Sequence, residues 1–114
     1  LDMSKVNSAK NSFSGCVRLT RLDFSNSDFK NITNLTNFVS NCPLLGEFKG
    51  PFNINVSFSD FTKSTTLTSE HLMSIINGLN SVTTTQTLTI GAANLAKLTA
   101  EQIKVATDKN WSVV

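Results

Sequence analysis

Apolar residues in this chain fall into two spacings, divided near residue 62. Before that point they come in short strand-like runs. In "LTRLDF" (19–24) Leu22 and Phe24 share one strand face, with Leu19 at the entry, and "FNINVSFS" (52–59) alternates strictly, with Phe52, Ile54, Val56 and Phe58 on one side. After it, Leu72, Ile75, Ile76 and Leu79 stand at i, i+3, i+4 and i+7, the stripe of a helix with one buried face, and Asn77-Gly78 marks its end. "LTSEHL" (67–72) and "LTAEQI" (98–103) are matching helix starts. Thr68 and Thr99 are N-caps, Glu70 and Glu101 stand in the first turns, and Leu67 with Leu72 and Leu98 with Ile103 form hydrophobic staples. Gln102 completes a capping box in the second helix, which buries Ile103 and Ala106 and ends about 108–110. "TQTLTIG" (85–91) and "WSVV" (111–114) are predicted strands, each following a helix.

The pattern also repeats. The shift that carries Cys16 to Cys42 also carries Leu19 to Leu45 and Leu22 to Phe48, and "LDMS" (1–4) matches "LDFS" (22–25) at a shorter step. The two helix starts, at Leu67 and Leu98, repeat at a slightly longer one. One strand per roughly 20–30 residues is the signature of stacked units, none of which buries its apolar face alone.

Composition narrows the class. A chain of 114 residues fits one domain with a real core. Only 16% of residues are charged, and Asn, Ser and Thr fill 41 of 114 positions, so the polar surface is built from short neutral groups. A net charge of +2 lacks the concentrated basic surface that phosphate neutralisation needs, so nucleic acid is not the expected partner. No apolar run approaches the ~18 residues of a membrane span. The chain opens on Leu1 and reads as a piece of something longer.

"FSGCVRLTRLDFSNSDFKNITNLTNFVSNC" resembles the repeat of BspA-like leucine-rich-repeat proteins, and the tail from "LTSEHL" to "WSVV" is similar to the C-terminal end of such proteins in gut bacteria and in phage structural proteins. The likeness spans essentially the whole chain, with only about two units of the N-terminal type. It implies an α/β fold: a short leucine-rich-repeat solenoid with a curved parallel sheet and a helical C-terminal cap, residues 1–66 forming the repeats and 67–114 the helix-strand repeats and cap of the same domain. It also implies display on a bacterial cell surface, secretion, or a place in a phage virion such as its tail.

Nothing in the sequence carries a catalytic motif. His71 is the only histidine and follows Glu70 on a predicted helix, the setting of a solvent-facing residue. There is no nucleophile elbow, phosphate loop, HExxH or EF-hand loop. Asp23, Asp28 and Asp60 show no pairing in sequence. Two cysteines and one histidine make no zinc site, and no cofactor is expected. Cys16 and Cys42 would come close if the units stack, as a disulfide or as small apolar residues in a buried column; the repeat pattern favours the column. Four N-x-S/T sequons, at Asn31, Asn34, Asn55 and Asn110, barely exceed the number expected by chance. Trp111 reads either as a core plug or as an exposed platform.

The outward strand positions carry the candidate site. With Leu22 and Phe48 inward, Arg21 and Glu47 become lateral neighbours, as do Asp23 and Lys49, and Asn55, Ser57, Thr87 and Thr89 extend the polar face if the strands continue in order. Cross-strand pairing of the charges is the simpler account. As function, the surface would bind a host or cell-surface protein or glycan without chemistry. The other expectations are a structural cap or assembly element of a longer repeat or virion protein, in contact with neighbouring repeats, and the targeting domain of a surface enzyme.

Overall fold

A computed structural model describes residues 2–114. Its elements in chain order are β1 (Arg21–Asp23), β2 (Glu47–Lys49), β3 (Phe58–Ser59), α1 (Ser69–Asn77), β4 (Gln86–Thr89), α2 (Ala92–Leu95), α3 (Ala100–Thr107) and β5 (Trp111–Val113). Strand pairing is parallel throughout: β1 with β2 in one sheet, and β3, β4 and β5 in that order in another.

The curved leucine-rich-repeat sheet implied by the resemblance does not form. The strands are short and divide between two separate small sheets. Nor do the helices gather into a terminal cap, because α1 packs on β2 and on α3. The break occurs at β2. Its outer edge is taken by α1, whose His71 and Ser74 side chains bond to the backbone of Phe48 and Gly50, so no third strand joins there. What recurs at the Cys16-to-Cys42 shift, besides the paired β1 and β2, is a turn. Asn11 and Asn37 have φ of 60° and 53°, and Gly15 and Asn41 have 74° and 57°, so segments 9–15 and 35–41 share a left-handed pattern that Asn and Gly tolerate best. The "LDMS" echo begins on Leu1, outside the described residues.

Helix starts follow the sequence closely. The Thr68 hydroxyl accepts from the His71 N–H, and Thr99 with Gln102 forms the full capping box. Each such cap contributes about 1 kcal/mol. Leu72, Ile75, Ile76 and Ala106 are buried as the stripes require, whereas Ile103 is only half-buried. The short α2 carries no capping signal and was not anticipated.

The strictly alternating run 52–59 is not one strand. Asn53 takes φ 59°, which interrupts the pleat, so Phe52 is left exposed while Ile54 and Phe58 are fully buried. Phe52 and Ile54 make only isolated bridges, to Asp28 and Leu79.

The core is a stack of aromatic rings from the first half joined to aliphatic residues of the second. Phe13, Phe24, Phe29, Phe38, Phe48, Phe58 and Phe61 pack with centroids 5.1–6.1 Å apart, mostly edge to face. That geometry sets positive ring edges against negative faces and adds to the burial of area. Trp111 is a plug rather than a platform: it is 2% exposed and donates its indole N–H to the Asn80 carbonyl at 2.8 Å.

Candidate recognition surface

Two short strands hold the charged part of the surface. Leu22 and Phe48 are buried on the inner side, and this anchors Arg21, Asp23, Glu47 and Lys49 outward in register, Arg21 beside Glu47 and Asp23 beside Lys49. Arg21 Nε lies 3.0 Å from Glu47 and Arg21 Nη2 lies 3.8 Å from Asp23. The expected Asp23–Lys49 contact is looser. The Ser25 side chain and then the Ser25 N–H, at 2.9 Å, hydrogen-bond Asp23 and, with the nearby Lys49 and Arg21 charges, hold its carboxyl below the ordinary value. These groups are exposed and screened by solvent, so the pairs contribute little to stability. Their energetic importance for folding is small.

The remaining candidates do not extend that patch, because the strands do not continue in order. Ser57 and Thr87 come together around Gln86: Gln86 Oε1 accepts from the Ser57 amide at 2.8 Å and from its hydroxyl at 3.0 Å, and the Ser57 Oγ accepts the Thr87 N–H at 3.0 Å. Asn55 accepts from Asn80 Nδ2 at 2.9 Å. Thr89 is half-buried on β4, where its carbonyl accepts the Phe61 N–H. The candidates thus form two clusters, one on each sheet.

Beside the second cluster is an open groove of about 340 Å³, lined by Thr33, Asn34, Leu35, Thr36, Val56, Ser57 and Gln86. Gln86, Thr33, Leu35 and Thr36 were not singled out by sequence, and Asn34 only as a sequon, since none holds an outward strand position that periodicity could flag. The groove holds hydroxyls, amides and two apolar side chains, and no ionisable group. That set can hydrogen-bond a polar ligand.

The residues that sequence offered for chemistry are engaged elsewhere. His71 is committed through Nδ1 to the Phe48 backbone. Cys16 and Cys42 are free thiols; Cys42 is buried, donates to the Phe13 carbonyl at 3.0 Å, and has its pKa pushed up by burial. Asp60 accepts from the Ser40 hydroxyl and the Thr62 N–H, and Asp28 from Asn53 Nδ2 and the Lys30 N–H. Among the described residues no group of three or more His, Cys, Asp or Glu could hold a metal ion, and no helix is long and apolar enough to cross a membrane. No family model, curated protein or solved structure matches the chain.

Proposed function

We propose that this chain is a non-enzymatic recognition or adhesion module, displayed on a bacterial surface or a phage particle, that binds a host or cell-surface protein or glycan through the exposed faces of its parallel strands. The observation that carries the reading is the quartet Arg21, Asp23, Glu47 and Lys49, held in fixed register by the buried Leu22 and Phe48. Its positions are set by the core, while its side chains contribute little to stability. Such a surface can vary in sequence without disturbing the fold. The display site and the ligand class rest on the sequence resemblance alone.

The test is binding of the purified chain to whole bacteria, matrix proteins and glycans, compared with a folded variant in which all four charged residues are Ala. Loss of binding in the variant places recognition on this face. Absence of binding by the folded wild type overturns the reading in favour of a structural role in a larger assembly.

A further inference from the structure

Among the described residues, the backbone of segment 9–15 is hydrogen-bonded to the rest of the chain on one side only. The N–H groups of Ala9, Asn11, Phe13 and Gly15 donate to the carbonyls of Asn34, Thr36, Phe38 and Ser40 at 2.8–3.0 Å, in the parallel sense set by the Ser8–Asn34 bridge. The carbonyls of Ala9, Asn11 and Phe13 are used within the turns, by the N–H groups of Ser12, Ser14 and Cys16. Those of Ser8, Lys10, Ser12 and Ser14 accept nothing among the described residues.

Their direction follows from the recurrence of the turn. The shift that carries Asn11 to Asn37 and Gly15 to Asn41, left-handed residues all, also carries Ser8, Lys10, Ser12 and Ser14 to Asn34, Thr36, Phe38 and Ser40. The carbonyls of the later segment point back at segment 9–15. Those of the earlier one therefore point away from the body, as a row of acceptors at alternate residues. Within and beside this segment in the chain, Met3, Val6, Phe13 and Leu19 pack on the core yet stay only partly buried. The outer edge of β1 continues the same face, since among the described residues β1 pairs only with β2.

We propose that this face docks a polypeptide segment from a partner that takes the same turn pattern and runs parallel to residues 8–15, which donates alternate backbone N–H groups to the Ser8, Lys10, Ser12 and Ser14 carbonyls and lays apolar side chains over Phe13 and Leu19. Docking through main-chain bonds draws affinity from those bonds and specificity from the side chains laid beside them. A second copy joined by a two-fold axis is the wrong occupant, because the same patch on both partners sets acceptors against acceptors. The inference is independent of the charged quartet, whose side chains project from the sheet face and not from this edge.

The chain itself supplies a probe. A synthetic peptide of residues 7–24 carries the donor pattern that the molecule already uses on residues 34–40. Titrated into the isotope-labelled protein, it should shift amide resonances of residues 3–23 and leave those of β4 and β5 unmoved. N-methylation of the peptide at the positions of Asn11 and Phe13 removes two donors and should weaken binding at least tenfold. The quadruple Ala variant of the charged face should bind the peptide as wild type does. The proposal is overturned by no shifts at millimolar peptide, by shifts indifferent to N-methylation, or by self-association of the protein through this face without peptide.

Discussion

His71 Nδ1 lies 3.4 Å from the amide nitrogen of Phe48 and 3.3 Å from its carbonyl oxygen, so a helix side chain sits on the edge of β2 where another strand would pair. Ser74, on the same helix, accepts the Gly50 N–H at 2.8 Å through its hydroxyl. The helix thus closes a sheet edge with two polar side chains. Replacing His71 by Leu, or Ser74 by Ala, should each cost about 1 kcal/mol by stranding a part-buried amide. Urea unfolding gives the loss, and hydrogen exchange should quicken selectively at Phe48 or Gly50. Unchanged exchange at both would refute the edge-closing role.

Asn94 is fully buried, and its Nδ2, with one hydrogen shared between two acceptors, donates to the carbonyls of Phe61 at 3.1 Å, Ser64 at 3.1 Å and Ile90 at 3.0 Å. Its own oxygen accepts from Lys97 Nζ, which also donates to the carbonyls of Thr65 and Leu67. One side chain therefore ties the 61–67 loop to α2. Asn94→Leu has similar volume but no donors, and leaves buried acceptors unmet, so it should destabilise by about 3 kcal/mol. Lys97→Met, with a more exposed head group, should cost less. The order of the two unfolding midpoints checks the assignment.

Gly78 illustrates sterics overriding a permissive backbone. It caps α1 with φ −83° and ψ −10°, a right-handed conformation open to any residue. A Cβ there would overlap the Pro51 carbonyl oxygen. Gly78→Ala should therefore lower stability by more than about 2 kcal/mol, whereas Gly15→Ala meets no atom and bears only the left-handed strain of φ 74°, about 1 kcal/mol. Thermal denaturation of both variants would show whether the larger loss belongs to Gly78.

Acid should weaken the fold through its turn carboxylates. Asp28 is held below the usual 3.8 by the Asn53 amide and then by the Lys30 N–H, and Asp23 by the Ser25 hydrogen bonds. A lowered folded pKa favours the charged form in the native state, so this stability is present above the unfolded value near 4 and fades as pH falls through the lower folded values. Asp28→Asn should flatten that part of the profile of stability against pH. A profile between pH 5 and 2 identical to wild type would show that the Asp28 bonds are unimportant.

Local features were legible in the sequence because their causes are local. Thr68, Thr99 and Gln102 cap helices through groups within one turn of the chain, and the stripe of Leu72, Ile75 and Ile76 states which face is buried. Leu22 and Phe48 are inward and in register, as the shift from Cys16 to Cys42 required. The fold built from those parts was decided by contacts distant in sequence. Asn53 reverses its φ and ejects Phe52 from a perfect alternation, which periodicity cannot foresee. His71 read as a solvent-facing helix residue, yet it ends the first sheet because α1 lands on the edge of β2. Asn94 gave no signal at all, since its partners take up their positions only after folding. Sequence determined the capped helices α1 and α3 and the inward Leu22 and Phe48 through capping and periodicity; tertiary structure decided which edges meet, because hydrogen bonds between remote backbone groups depend on where the whole chain has already packed.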